Sequence, residues 1–115
     1  MATPLVSFVQ EGASIDYTPD AAVDAGDVVV QADLVGVAKL DIAAETLGAL
    51  AVEGVFDFPK ATGAGTGIAA GANCYWDVAD GEAKTDAEGG ANKLIGKCVR
   101  AAADADETVR IRMSQ

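Results

Sequence analysis

Histidine is absent from this 115-residue chain, which removes the commonest general base, the commonest neutral metal ligand and every Ser-His or Cys-His arrangement. Serine is scarce too: Ser7, Ser14 and Ser114 all lie outside any nucleophile-elbow pattern. The two cysteines, Cys74 and Cys98, are too few for a disulfide framework and too far apart for a CxxC pair. They are expected as reduced, buried thiols, and nothing nearby in sequence supplies the cationic surroundings that activate a cysteine. No apolar run reaches the length of a membrane span, and Met1-Ala2-Thr3-Pro4 lacks the basic start of a secretion signal, so synthesis in the cytoplasm and no membrane partner are expected. Positive charge is also short: eight Lys and Arg stand against eighteen Asp and Glu, a net charge of −10. With no basic run and no interleaved aromatics, direct nucleic-acid binding is not expected.

What is present is mostly small. Half of the residues are hydrophobic, but 24 of them are Ala, and Val, Leu, Ile and Phe together number 27. A single domain of this length buries a modest share of its surface, so an Ala-rich core leaves a thin margin and favours a partner subunit or surface. The acids are uneven as well. Residues 1–60 carry ten acids against Lys39 and Lys60, whereas residues 61–115 carry eight acids against six bases.

Period-two alternation is the main structural signal. Thr108-Val109-Arg110-Ile111-Arg112-Met113 predicts a half-buried strand with Val109, Ile111 and Met113 inward. Leu50, Val52, Phe56 and Phe58 share one parity, which predicts a long strand bent or bulged near Gly54. Asp27-Val28-Val29-Val30 and Leu34-Val35-Gly36-Val37 are β-branched runs, and Asn73-Cys74-Tyr75-Trp76-Asp77-Val78 alternates with Cys74, Trp76 and Val78 on one side. Gly, Pro and Asp near residues 18–20, 25–27, 80–82 and 88–90 supply the turns.

Residues 43–51 and 94–103 contain good helix formers, which allows a short helix in either. Against a helix, Leu34-Val35-Gly36 recurs as Leu94-Ile95-Gly96, and Glu45-Thr46-Leu47 is echoed by Glu107-Thr108-Val109. If the echo is a repeat, each copy is strand, acidic turn, strand, and a hairpin is favoured at both sites. The expected fold is therefore all-β: a small single-domain β-barrel or β-sandwich of about eight short strands, with one short helix allowed. Phe56, Phe58, Trp76, Val109 and Ile111 are the predicted core.

Candidate chemistry is sparse. Asp77 with Asp80, and Asp104 with Asp106, have the composition of acid-base pairs or hard-cation ligands, but turn acids bonded to local backbone are the stronger expectation. No metal or other cofactor is expected. The stretch Gly63-Ala64-Gly65-Thr66-Gly67-Ile68-Ala69-Ala70-Gly71 has neither a GK[ST] ending nor GxGxxG spacing, so it is read as a flexible loop whose Gly63, Gly65 and Gly67 are candidates to touch another chain. Trp76 beside Tyr75 has the makings of a stacking platform, although its parity places it in the core. Residues 1–12 are read as an N-terminal arm; within it, Thr3, Pro4, Leu5, Val6 and Phe8 precede the first turn signal and could add a strand to a neighbour.

The order of segments carries a resemblance. Phe8-Val9-Gln10-Glu11-Gly12, Ala25-Gly26-Asp27-Val28-Val29 and Leu34-Val35-Gly36-Val37-Ala38 are followed by Val52-Glu53-Gly54-Val55-Phe56-Asp57-Phe58-Pro59-Lys60, Tyr75-Trp76-Asp77, Leu94-Ile95-Gly96 and Thr108-Val109-Arg110-Ile111-Arg112. Across nearly the whole chain this resembles the capsid cement, or decoration, proteins of tailed bacteriophages. The resemblance implies a structural virion protein and not an enzyme. Its place would be the outer surface of an assembled head, where homotrimers at three-fold and quasi-three-fold positions would bridge neighbouring major capsid protein subunits and stabilise the shell. Three alternatives stay open: a small carbohydrate- or cell-surface-binding module on the virion, an enzyme built on acid pairs or a bound cation, and a self-assembling coat or scaffold protein.

Overall fold

The computed structural model describes residues 6–115, and its regular elements are strands and one turn of 3-10 helix. The first sheet contains β1 (Ser14–Tyr17), β2 (Val28–Gln31), β3 (Leu34–Ala38) and β4 (Gly48–Ala51), in the order β1-β4-β3-β2. The second contains β5 (Gly54–Pro59), β6 (Asn73–Asp77), β7 (Glu82–Lys84), β8 (Lys93–Arg100) and β9 (Thr108–Met113), in the order β5-β9-β8-β6-β7. Every strand ladder in both sheets is antiparallel. This is the expected all-β class, with nine strands, and the two sheets make a sandwich rather than a closed barrel. One isolated parallel bridge, Lys60 to Ala83, joins the edge of β7 to the end of β5, but a single bridge is no ladder.

Strand β9 is formed as the alternation predicts: Val109, Ile111 and Met113 are buried while Thr108, Arg110 and Arg112 are exposed. These inward residues meet Phe58, Trp76 and Ile95 of the second sheet and Val35 and Val37 of β3, forming the main core. Phe56 packs against it half-buried rather than within it. A smaller cluster lies on the other face of the first sheet, where Ala38 and Leu50 are covered by Ile42 and flanked by Ile15, Tyr17, Val23 and Val29. Gln115 adds a polar tie between the sheets. Its side-chain amide accepts from the Val35 N–H at 2.8 Å and donates to the Val35 carbonyl at 2.6 Å, as a neighbouring strand would.

Three expectations need correction. The long strand over residues 50–58 is two strands in different sheets, because the chain turns at Val52 and Glu53 and Gly54 takes φ +125°, a value other residues rarely adopt. Shared parity therefore put Leu50 in the small cluster and Phe58 in the main core. Val78 is exposed rather than inward, since β6 ends at Asp77 and a turn begins there. The helix allowed at 43–51 or 94–103 is not formed: both regions contribute to hairpins, β3 pairing with β4 and β8 with β9. The β8–β9 approach is close at Gly96, where a Cβ would overlap the backbone carbonyl of Arg112.

Candidate contact surface

The glycine loop is anchored, not flexible as its composition suggests. Lys60 follows β5 and is 6% exposed, yet its ammonium has no carboxylate partner among the described residues. It donates instead to the carbonyls of Ala61 at 2.6 Å and Asp106 at 3.0 Å, and to the Thr66 hydroxyl oxygen at 3.3 Å. Around this node the Gly63 N–H donates to the Asp104 carbonyl at 2.9 Å, and the Gly67 N–H to the Asp104 carboxylate at 2.7 Å. Ile68 and Ala102 exchange both backbone bonds, at 2.9 and 2.8 Å. Residues 61–68 and 101–107 thus form one tied platform, on which Gly63, Gly65 and Gly67 are exposed. A buried charge solvated by carbonyls fixes both loops at once.

At the N-terminal side, Val6, Phe8 and Val9 are exposed and belong to no strand. Thr3, Pro4 and Leu5 lie outside the described residues. A further apolar surface, unforeseen in the sequence, sits over the first sheet. Loops 18–27 and 39–47 are joined by paired bonds of 2.8 Å between Val23 and Ile42, and by an Ala25 N–H donated to the Asp41 carboxylate at 2.8 Å. This cap leaves Leu40 and Leu47 exposed beside an open groove of about 580 Å³ lined also by Ser14, Ile42 and Ala49.

The outer face of the second sheet is basic. Strand register puts Val55, Arg112, Lys97 and Asn73 in one cross-strand row, and Asp57, Arg110 and Arg100 in the next. Arg110 pairs with Asp57 at 3.0 Å, which holds the Asp57 carboxyl below its ordinary range and raises Arg110. Among the described residues Lys97 reaches only the Asn73 side-chain oxygen, at 2.9 Å.

The acid pairs are turn chemistry. Lys84 bridges Asp77 and Asp80 at 2.8 and 2.6 Å, while Asp77 also accepts the Asp80 N–H at 3.1 Å. Asp77 is buried rather than solvated, and the hydrogen bond from Lys84 holds its carboxyl low. Asp104 accepts from Gly67, and Asp106 accepts the Ala103 N–H at 2.8 Å. Among the described residues, no cluster of three or more His, Cys, Asp or Glu is placed to hold a metal ion. Trp76 is buried with its ring 6.0 Å from Phe58, and Tyr75 lies half-buried on the opposite face of β6, so the two do not form a stacking platform. Cys74 and Cys98 are both free and buried; desolvation, with Cys98 adding to it, pushes the Cys74 thiol up to about 11.

The arrangement defines a small β-sandwich with a tied loop platform, exposed apolar residues Val6, Phe8 and Val9 ahead of the first strand, a cap over the first sheet and a basic outer face on the second. The particular family follows from comparison, for the profile of the phage cement protein family matches residues 9–113, and the chain belongs to that family. It is thus a structural protein associated with the phage capsid, not a member of an enzyme family. No curated protein and no solved structure matches the chain. No described helix is long and apolar enough to cross a membrane.

Proposed function

We propose that the protein binds the outer surface of an assembled phage head and stabilises it by bridging neighbouring major capsid protein subunits. The supporting observation is the family match across residues 9–113. Residues 1–115 act as one decoration domain, of which residues 1–12 are an arm that engages a neighbouring chain. The tied platform around Gly63, Gly65 and Gly67 is a second contact, preorganised by Lys60 so that little ordering entropy is lost on binding. Copies act as homo-oligomers, trimers being the expected form, because several weak contacts held together outlast any one of them.

Cosedimentation with expanded, undecorated capsids tests this reading. The full chain is expected to pellet with the shells and to raise their disruption temperature. Removal of residues 2–9 should weaken pelleting; unchanged binding removes the arm from the interface. A folded protein that never pellets with capsids overturns the whole reading.

A further inference from the structure

The basic face breaks a rule of strand pairing. Like charges directly opposite across antiparallel strands are destabilising, yet Arg112 faces Lys97 and Arg110 faces Arg100. Those four residues are half of the eight bases in a chain whose net charge is −10. Asp57 relieves Arg110, but Arg100 and Arg112 have no ion-pair partner among the described residues. A shallow groove of about 290 Å³ between Gly71, Lys97, Val99, Arg112 and Ser114 has no carboxylate in its lining. Exposed Val55 and Val99 add apolar surface to this face. Concentrated, mutually repelling cations beside apolar side chains are the chemistry of a surface that receives acidic protein.

The matching surface is on the same chain. The cap over the first sheet carries Asp20, Asp24, Asp27, Asp41 and Glu45 against Lys39 alone, and it exposes Leu40 and Leu47. It covers the small cluster on the side of the first sheet turned away from the main core, whereas the basic face is the side of the second sheet turned away from that core. The two surfaces therefore point away from each other and cannot meet within one molecule.

We infer that the acidic cap of one copy docks on the Lys97–Arg112 face of the next, a head-to-tail contact between unlike surfaces. Such a heterologous contact closes into a ring when its rotation permits and extends into a chain when it does not. It pairs carboxylates with the unpartnered cations and Leu40 and Leu47 with the apolar surface at Val55 and Val99. The net charge of −10 opposes association at long range, but at a physiological ionic strength of ~0.15 M that repulsion is screened beyond roughly 8 Å while the facing groups are in contact. This inference deepens the expectation of self-association stated above and is independent of capsid binding.

Sedimentation velocity of the full chain tests it, using a face variant, Lys97→Glu with Arg112→Glu, and a cap variant, Asp24→Lys with Glu45→Lys. All four side chains are on exposed residues, and circular dichroism checks that the variants fold. Wild type should form oligomers, each variant alone should be monomeric, and an equimolar mixture should associate again, because the native cap–face junction and the charge-reversed one both bring unlike charges together. That last result distinguishes a head-to-tail contact, because only a cap meeting a face pairs opposite charges at both junctions. Variants that associate like wild type, a mixture that stays monomeric, or a monomeric wild type would each overturn the inference. Capsid pelleting separates the two claims: wild type that oligomerises through these surfaces but ignores capsids supports the contact and overturns the capsid reading. A monomeric wild type whose face variant loses capsid binding overturns the contact and assigns the face to the capsid.

Discussion

Replacing Lys60 by methionine keeps most of the apolar stem and removes the ammonium that ties the two platform loops together. Four acceptors lose a charged donor: the carbonyls of Ala61 and Asp106, the Thr66 hydroxyl and, at 3.5 Å, the Asp104 carbonyl. The hydroxyl keeps contacts to the Gly63 and Asp104 carbonyls, and the Asp104 carbonyl keeps the Gly63 N–H, so the carbonyls of Ala61 and Asp106 bear most of the loss. Hydrogen bonds to a charged donor are worth about 1.5–3 kcal/mol each, so the two short ones, to the Ala61 and Asp106 carbonyls, carry roughly 3–6 kcal/mol. Asp106 is exposed, so water replaces part of its share, and removing the ammonium also removes the cost of burying it; together these offset roughly half of the loss. A net loss of about 1.5–3 kcal/mol remains, out of the roughly 5–15 kcal/mol available to a domain. At about 4 °C per kcal/mol for this size, Tm should fall by ~6–12 °C. Calorimetry with amide exchange is the assay, and faster exchange at Gly63, Gly67 and Ile68 should accompany the lower Tm. A shift below ~2 °C with unchanged exchange at those amides would refute the view that the buried ammonium organises the platform.

Gly96→Ala should destabilise by about 3 kcal/mol in denaturant titration, because the new Cβ meets the Arg112 backbone and β8 must part from β9. Ala32→Gly should stabilise by ~1 kcal/mol in the same assay, since Ala32 holds φ +51° in the two-residue turn between β2 and β3. Both thiols should resist a disulfide reagent at pH 8 in the native protein and react once it is unfolded, as the burial of Cys74 and Cys98 requires. Asp33, Asp57 and Asp77 are held below their ordinary value of 3.8, so their contribution is present above that pH and is lost as pH falls through the lowered folded values. Thermal midpoints should therefore fall as the medium becomes more acidic than about pH 4, and Asp57→Asn should flatten that limb.

Legibility in the sequence followed how local the cause was. Strand β9 was readable to its ends because one face is buried and the other solvated, which writes the alternation directly into the residues. The hairpins at β3–β4 and β8–β9 were readable from their echoed segments, and the capsid association from the order of short motifs. Parity misled between Leu50 and Phe58 because it records which side a residue faces but not which sheet it belongs to. The glycine loop looked flexible because the group that fixes it is a lysine whose partners lie as far along the chain as Asp106. Lys60 did appear in the run ending Phe58-Pro59-Lys60, but nothing local shows that its ammonium is buried. The basic rows were hidden for a related reason: Lys97 faces Arg112 through a register that sequence spacing does not reveal.

The switch between sheets at Val52 and Glu53 has a mechanical consequence. One end of this two-residue tether is held in the small cluster by Leu50, and the other runs into β5, whose Phe58 is fixed in the main core. Two extended residues span at most ~7 Å, so the sheets have almost no slack between these anchors. On the proposed bridging role, a load applied to surfaces of different sheets would pass in part through this short segment and the strands beside it. How firmly β4 and β5 hold their ladders would then set where the molecule first yields, which makes it a stiff strap rather than a spring.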